Sequence, residues 1–317
     1  MLKDMILNAY KSNLFKRFDG DFNLYFSTKD FPNLKAEPYS FTTEKGDVLK
    51  GNFYYYGEPI KGRLIVFDHG MGAGHTAYFR EIEKLASKGY TVFSYDHTGC
   101  MESGGEHSNG FLTSLADLDS CLTAIKRDFP DYKISVVGHS WGGFSTSNIA
   151  KYHPDVAHVI SLAPFMSLKA IVGQTFSGLL SFMRKPVMEL EASCNPKYVN
   201  ANTIDSLSNY EGNALIIHSK DDNILNVKLH FNRIQKGLHL KENIKFVLVD
   251  KKLHNPNYTV EAVKALTSFL KEKSKLVKKG LLNTKEQQES FINKFDWYQI
   301  TEQDETIWNM IFETLNK

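Results

Sequence analysis

The most constraining feature of this 317-residue chain is the stretch 134–144, which reads Ile-Ser-Val-Val-Gly-His-Ser-Trp-Gly-Gly-Phe. Four residues of strand character run into Gly-His-Ser-Trp-Gly, and a helical pattern follows at once. A serine hydroxyl becomes a useful nucleophile only where a sharp turn projects it towards a base and backbone donors. Gly138 and Gly142 lack a Cβ, so strand and helix can approach each other on either side of Ser140. The stretch therefore predicts a strand–turn–helix unit that presents Ser140.

The flanking sequence predicts a parallel sheet covered by helices. The run Arg-Leu-Ile-Val-Phe at 63–67 is almost continuously apolar, as expected of a strand buried on both faces. Around it lie strand patterns at 40–43, 48–56, 91–95, 156–162, 214–217 and 243–249, and helical patterns at 77–88, 112–129, 141–152, 226–236 and 260–270. The alternation of strand and helix requires parallel strands joined by right-handed crossovers.

Composition excludes several classes of function. The 38 basic and 36 acidic residues nearly balance, so there is no electrostatic case for nucleic-acid binding. Cys100, Cys121 and Cys194 are scattered without a C-x-x-C pattern, which suits a reducing compartment better than a disulfide framework or a zinc site. No signal-peptide core and no apolar run long enough to span a bilayer is visible. We therefore expect a cytoplasmic protein without a transmembrane segment or a metal site.

Over about residues 41–275 these features resemble the α/β-hydrolase fold. In that family a His-Gly pair after the first parallel strand opens the oxyanion loop, and the following residue, here Met71, lends its backbone N–H. The resemblance gives the second N–H to Trp141, directly after Ser140. The same glycine-rich loop does not fit a dinucleotide fingerprint, because His75 stands where the third glycine would be needed.

The resemblance also implies an acid and a base. The family's acid loop reads His-Gly-x-x-Asp, and four residues after His218 stands Asp222, although a serine replaces the usual glycine. Asp221 is the alternative acid. His254 follows the last strand, where the family keeps its base. By this resemblance Ser140, Asp222 and His254 form a catalytic triad in the family's chain order.

One turn departs from the family's pattern. Residues 96–105 resemble its Asp-x-x-Gly-x-Gly-x-Ser-x-Gly turn, but Met101 stands in place of the second glycine. The turn is structural in the family, so this departure affects loop geometry more than chemistry. His97, within the turn, is expected to be solvated or bonded to the loop.

The strand and helix alternation stops after 156–162, where the family inserts a lid. The predicted domains are an N-terminal helical extension at 1–40, a hydrolase core at 41–165 and 211–275, a lid at 166–210, and a C-terminal helical extension at 276–317. The apolar excess of the lid has two interpretations: ordinary packing on the body, or an acyl or aromatic pocket over Ser140. The candidate pocket residues are Phe176, Leu179, Leu180 and Met183.

The two ends of the chain carry helical patterns. Residues 2–18 predict a helix packed on the body, with a membrane-surface or partner helix as the alternative. Near the C-terminus, Thr284 and Thr301 each begin what looks like a capping box, although the second closes with Asp304 instead of Glu. The apolar stripe at 307–315 must be buried against something.

The resemblance implies a serine carboxylic-ester hydrolase of the esterase, monoacylglycerol lipase and lysophospholipase-like group. It would act on small to medium acyl esters through an acyl-enzyme, without metal or organic cofactor, and its partner would be a small-molecule ester. Self-association into a homo-oligomer is left open. One alternative is an aminopeptidase of the proline-iminopeptidase type, which would need lid carboxylates such as Glu189 and Glu191 to hold a substrate amine. The other is a hydrolase-fold binding protein with little turnover.

Overall fold

The computed structural model describes residues 2–19, 26–72 and 74–317. Met1, residues 20–25 and Ala73 lie outside the described residues. Parts of the predicted N-terminal extension and of the glycine-rich loop after the first parallel strand are therefore not described below.

Eight strands form one sheet in the order β1-β2-β4-β3-β5-β6-β7-β8. Their bounds are β1 Leu34–Thr42, β2 Val48–Tyr56, β3 Arg63–Asp68, β4 Thr91–Tyr95, β5 Lys133–His139, β6 His158–Leu162, β7 Asn213–Ser219 and β8 Ile244–Val249. The β1–β2 and β2–β4 pairs are antiparallel, and every other neighbouring pair is parallel. The sheet confirms the predicted mostly parallel architecture.

Twelve α-helices flank this sheet within the described residues. Their bounds are α1 Leu2–Leu14, α2 Phe79–Ala86, α3 Thr113–Asp128, α4 Trp141–Asn148, α5 Leu168–Thr175, α6 Arg184–Cys194, α7 Thr203–Ser208, α8 Phe231–Leu238, α9 Val260–Lys278, α10 Lys285–Ile292, α11 Trp297–Ile300 and α12 Glu305–Leu315. Short 3₁₀ turns occur at Thr28–Asp30, His75–Tyr78, Ile149–Lys151, Gly178–Met183 and Pro196–Tyr198. The segment between β6 and β7, which contains the predicted lid, consists of helices and one isolated antiparallel bridge between Ser167 and Asn202.

Both faces of the central strands are buried, as the apolar run in β3 predicts. Leu64 and Val66 pack with α3, α4 and the segment after β6 on one face. Ile65 and Phe67 alternate with them and pack against α2 and α12 on the other face. Because successive side chains of a strand point to opposite faces, a doubly covered sheet needs apolar residues at every position.

The α1 helix packs on the body, and Tyr10 is its buried residue. At the other end of the chain, the apolar stripe of α12 is buried against the sheet, with Trp308 fully enclosed. Thr284 forms the predicted capping box with Gln287 at the start of α10.

Two predicted helix starts are wrong, and in both cases a hydrogen bond from the backbone to a side chain explains the observed structure. The Asp304 side chain caps α12 itself, by accepting from the backbone of Thr306 and Ile307, so Thr301 does not begin this helix. Helix α8 begins at Phe231 and not at Asn226, because the Asn226 side chain accepts bonds from the next backbone N–H groups and forms a separate turn.

Candidate active site

Ser140 occupies the sharp turn between β5 and α4. Its φ of 56° and ψ of −110° place a non-glycine residue in a region that L-residues rarely adopt. A Cβ on Gly138 would lie 2.3 Å from the Gly142 carbonyl oxygen, and one on Gly142 would lie 2.0 Å from the Asp68 carbonyl oxygen. Only glycine fits at these two positions, so the motif glycines are required by close backbone approach.

The turn places Ser140 in a hydrogen-bonded chain with His254 and Asp222, the predicted base and acid. The Ser140 hydroxyl lies 2.8 Å from His254 Nε2, and His254 Nδ1 lies 2.8 Å from Asp222 Oδ2. These bonds fix the imidazole tautomer: Nδ1–H donates to the carboxylate, and Nε2 accepts from the hydroxyl. The His254 side chain is 15% exposed and Ser140 is half-buried, so the serine end of the chain of bonds can be reached from solvent.

Asp222 is held as a buried carboxylate. Its Oδ1 accepts the backbone N–H groups of Ile224 and Leu225, both at 2.8 Å. His218 Nε2 lies 3.2 Å from Oδ2, which is an ion-pair distance but not hydrogen-bond geometry. Burial alone would raise the pKa of Asp222, but the imidazoles of His218 and His254 and these N–H groups lower it below its ordinary value. The carboxylate therefore stays ionised across the neutral range.

The neighbouring Asp221 has different partners. Its Oδ1 accepts from the Ser219 hydroxyl and from the backbone N–H groups of Lys252 and Leu253. It therefore braces the loop that carries His254 without contacting the imidazole. Of the two candidate acids, Asp222 is the one that lies against His254.

The loop after β3 passes directly over the Ser140 turn. A Cβ on Gly70 would lie 2.3 Å from the Tyr78 hydroxyl oxygen, so glycine lets Tyr78 approach the loop, and the His139 carbonyl oxygen at the end of β5 lies 3.4 Å from the same position. His69 is fully buried, and burial lowers its pKa to about 3. The neutral ring donates from Nδ1 to the Gly70 carbonyl oxygen and accepts the His97 backbone N–H at Nε2. These contacts fix the backbone at Gly70, directly before Met71.

The sequence analysis missed His139, the residue before Ser140. Burial lowers the pKa of His139 to about 3, so the ring is neutral. Its Nε2 donates to the His254 carbonyl oxygen at 2.8 Å, and its Nδ1 therefore accepts from the Tyr78 hydroxyl at 2.9 Å. His139 thus ties the Ser140 turn to the His254 loop, and only its position beside the serine could have drawn attention to it.

The four candidate pocket residues do not form one wall. Phe176 and Met183 are buried in the core, and the ring centre of Phe176 lies 5.9 Å from that of Tyr10. Leu179 is 96% exposed and Leu180 is 43% exposed. These two leucines are exposed because the Gly178–Met183 turn stands out from the body at its first residues and enters the core only at its end, and the role of all four residues in a substrate pocket stays a prediction.

Two further features concern the described part of the chain only. Within residues 2–19, 26–72 and 74–317, no cluster of three or more histidine, cysteine or acidic side chains is arranged to hold a metal ion. No described helix combines the length and the apolar character needed to cross a bilayer.

Comparison with known families identifies this arrangement. Residues 59–222, just over half of the chain, match the family described as serine aminopeptidase, S33. The chain belongs to this family. The match contains Met71, Ser140 and Asp222, whereas His254 lies beyond it, and the structure brings His254 to Ser140 and Asp222 from the loop after β8.

Among individual proteins, this S33 hydrolase is 31% identical over 93 residues to a monoglyceride lipase from Mus musculus, which is 29% of this chain and 31% of that protein. It is 30% identical over 114 residues to a proline iminopeptidase from Saccharolobus solfataricus, which is 35% of this chain and 37% of that protein. The matched segments span only about a third of the length of these relatives.

The fold is shared more widely than the sequence. The structure superimposes on an esterase from Pyrococcus furiosus with a TM-score of 0.59 and 18% identity, over 85% of this chain and 98% of that one. At this identity the likeness concerns the fold, which is the predicted α/β-hydrolase fold.

Proposed function

We propose that this S33 hydrolase is a serine carboxylic-ester hydrolase in which Ser140 is the nucleophile, His254 the base and Asp222 the residue that orients the base. The observation that carries the proposal is the continuous hydrogen-bonded path from the Ser140 hydroxyl through His254 to the Asp222 carboxylate, with 2.8 Å at each step. Such a path lets a serine lose its proton as it attacks.

In the first half of the reaction, Ser140 Oγ attacks the ester carbonyl carbon while His254 Nε2 takes the hydroxyl proton. The carbonyl oxygen becomes an oxyanion, which accepts the backbone N–H groups of Met71 and Trp141. Each such donor contributes about 3 to 4 kcal/mol in other hydrolases. His254 then gives its proton to the alcohol oxygen as the carbon–oxygen bond breaks, and the acyl group stays on Ser140.

In the second half, water attacks the acyl carbon and His254 takes a proton from that water. The tetrahedral intermediate collapses, Ser140 Oγ leaves and recovers the proton from His254, and the acid is released. Throughout both halves, Asp222 keeps Nδ1 protonated and stabilises the imidazolium. The chemistry that we propose uses no metal ion and no organic cofactor.

The proposal extends to the substrate and the domain division. We assign the segment 166–210 as a lid on the core at 41–165 and 211–275, with extensions at 1–40 and 276–317, and small to medium acyl esters as substrates. The first extension was predicted to be helical, but among its described residues only its start forms an α-helix, because its last residues belong to strand β1. The similarity to a monoglyceride lipase supports an acyl ester. The three cysteines are free, and Cys100 and Cys121 are buried, which supports a reducing, cytoplasmic setting.

A second candidate function is an aminopeptidase, favoured by the family's description and by the similarity to a proline iminopeptidase. It would need a free carboxylate near the site to bind the substrate amine. Glu191 is fully buried and already bonded to Tyr10 and Phe111, whereas Glu189 is exposed and lies 3.8 Å from Lys185. Glu189 is thus the lid carboxylate of this pair that a substrate amine can reach.

The nucleophile is tested with a fluorophosphonate probe, which reacts with activated serines. The wild-type protein should be labelled once, and Ser140→Ala should abolish both labelling and ester turnover. Ser193→Ala, at an exposed serine of α6, is the matched control and should be labelled like the wild type. Undiminished labelling of Ser140→Ala would overturn the proposal.

The two candidate functions predict different substrate preferences. A series of nitrophenyl esters and an aminoacyl-arylamide should be compared by kcat/KM with the same protein. An ester hydrolase should prefer the esters and be insensitive to Glu189→Gln. Fast cleavage of the arylamide, lost in Glu189→Gln, would favour the aminopeptidase.

A further inference from the structure

A buried carboxylate lies between the N-terminal helix and the Ser140 turn. Glu191, on α6, is fully buried, and its Oε1 accepts the Tyr10 hydroxyl at 2.5 Å. The backbone N–H of Phe111 reaches both carboxylate oxygens, at 2.9 and 3.1 Å. In the described part of the chain no cationic side chain forms an ion pair with it, so these N–H and O–H groups are what offset its burial. Burial raises the pKa of Glu191 to about 7, although these donors act to lower it.

The loop that receives Glu191 is shaped for a carboxylate. Gly110 has a φ of +87°, and a Cβ there would lie 2.5 Å from both Glu191 oxygens. The N–H groups of Phe111 and Leu112 then point at the carboxylate, just before α3 begins. Helix α3 has no side-chain cap of its own, because Leu112 occupies the N-cap position. Glu191 therefore supplies acceptor oxygens for backbone N–H groups at the start of α3 that have no partner within the helix.

The same loop holds the residue after the nucleophile. The Phe111 carbonyl oxygen accepts the Trp141 indole N–H at 2.7 Å, and the Ser114 hydroxyl donates to the Trp141 carbonyl oxygen at 3.2 Å. Trp141 is thus fixed at its side chain and at its backbone by the segment that Glu191 anchors. In the proposed mechanism, the Trp141 backbone N–H donates a hydrogen bond to the oxyanion.

We propose that Glu191 is a positioning residue for the oxyanion hole: it fixes Phe111 and Leu112, which fix Trp141. Tyr10 connects α1 to the same chain of contacts through its hydrogen bond to Glu191. The inference rests on the proposed function, because it needs the Trp141 N–H to bind the developing oxyanion. A displaced oxyanion donor weakens binding of the transition state more than binding of the ester, so its effect appears in kcat and not in KM.

The test measures ester hydrolysis by Glu191→Gln in the full-length protein. Complete loss of an oxyanion donor costs about 10²- to 10³-fold in kcat, so a displaced donor should cost about 10-fold, with KM changed less than about twofold. An alkyl boronic acid, whose tetrahedral adduct with Ser140 mimics the oxyanion, should bind about 10-fold more weakly. A merely structural role would leave the boronic acid affinity of the folded protein unchanged.

Asp119→Asn is the matched control for the loss of a buried carboxylate. Asp119 lies on α3 and is bonded to His153, Lys197 and Tyr198, none of which belongs to the Ser140 turn. It should lower the melting temperature but leave kcat unchanged. An equal fall in kcat in this control would overturn the inference.

Two further variants test the same contacts, and Tyr10→Phe replaces Glu191→Gln, alone and in the double variant, if the Glu191→Gln protein does not fold. Tyr10→Phe keeps the ring but removes the donor to Glu191, and should lower kcat about threefold. Trp141→Phe removes the bond to Phe111 but keeps the backbone N–H. Combined with Glu191→Gln, it should cost little more than the larger single loss, because residues acting through one path are not additive.

Additive losses in the double variant, or an unchanged kcat in Glu191→Gln and Tyr10→Phe, would overturn the positioning role. A wild-type protein that is neither labelled at Ser140 nor active on any ester would overturn the proposed function instead. Wild-type turnover beside unaffected Glu191 and Tyr10 variants would overturn only the inference.

Discussion

His254 and His97 both lie against aspartates, and they differ in what the other side of the ring contacts. His254 has Asp222 at Nδ1 and the Ser140 hydroxyl at Nε2, and part of its side chain is exposed. His97 has a carboxylate on both sides and no exposed surface. We call the first the open pair and the second the closed cluster. A proton can be exchanged with a reacting group only in the open pair.

In the closed cluster, the His97 imidazolium stays charged. His97 Nδ1 lies 3.2 Å from Asp117 Oδ2, and Nε2 lies 3.1 Å from Asp68 Oδ1, the latter at ion-pair distance without hydrogen-bond geometry. Burial would lower the pKa of His97, but the two carboxylates raise it to about 10. The imidazolium stays charged at neutral pH and packs 4.7 Å from the Trp141 ring centre. The same residue types thus give a base in one place and a structural ion in the other.

The largest effect is expected in the open pair. Asp222→Asn keeps the shape but favours the wrong imidazole tautomer, so kcat should fall about 10⁴-fold, as in other triads. The control is Asp221→Asn, which loosens only the loop before His254 and should cost far less. Steady-state kinetics on one nitrophenyl ester measures both. If the two losses came out reversed, Asp221 would be the acid.

The closed cluster should respond in stability and not in turnover. Asp117→Asn leaves the charged His97 with one carboxylate, and breaking a buried ion pair costs about 3 kcal/mol in the free energy of unfolding. Urea unfolding measures this loss, and kcat of the folded variant should stay within about threefold of the wild type. Asp128→Asn, at the exposed end of the same helix, should leave unfolding unchanged. A collapse of kcat without loss of stability would make the cluster part of the catalytic machinery.

Glu191 provides a third case, a buried carboxylate with no cation. Its pKa is raised from 4.5 to about 7 in the folded chain, so its contribution to stability is complete below pH 4.5 and is lost as the pH rises through 7. The bonded Tyr10 stays neutral there, because burial and Glu191 raise its pKa. Relative to Glu191→Gln, the wild type should lose up to about 3 kcal/mol between pH 4.5 and 8.

Thermal or urea unfolding of both proteins across this range gives the difference directly. A free energy of unfolding of the wild type that instead rises with pH, relative to that of Glu191→Gln, would mean that Glu191 is stabilised as a charge, like the closed cluster.

The smallest effect concerns the surface over Ser140 and its influence on kcat/KM. If the proposed lid covers Ser140 with apolar side chains, acyl burial contributes at most about 0.8 kcal/mol per methylene. The kcat/KM for nitrophenyl esters should then rise several-fold per two carbons and fall once the pocket is full. Leu179→Ser, at a fully exposed position, should leave this profile unchanged. A profile that falls from acetate onwards would count against an apolar acyl site.

The sequence predicts the open pair better than the closed cluster for a physical reason. A strained serine needs glycines two residues away on each side, and these are visible as a local motif around Ser140. The acid and the base follow strand ends, and the carboxyl ends of parallel strands meet at one edge of the sheet. This placement agrees with the family resemblance that assigns Asp222 and His254, and their catalytic roles stay predictions.

Contacts between distant segments carry no local signal. His97 was expected to be solvated or bonded to its loop, but it is enclosed between two carboxylates, one of them twenty residues away on α3. Leu179 and Met183 share one short apolar turn, yet one faces solvent and the other is buried. Which of them is covered depends on the surface beneath the turn, and no periodicity of four or five residues contains that information.

The bond between Tyr10 and Glu191 also sets an order of assembly. The two residues are 181 positions apart, so at about 5 to 20 residues per second the ribosome makes Glu191 about 10 to 40 s after Tyr10. A free 13-residue helix is only marginally stable in water. Helix α1 must therefore wait for a segment synthesised later before it can dock, and Trp141 gains its full set of supporting contacts only when Tyr10 and Glu191 meet.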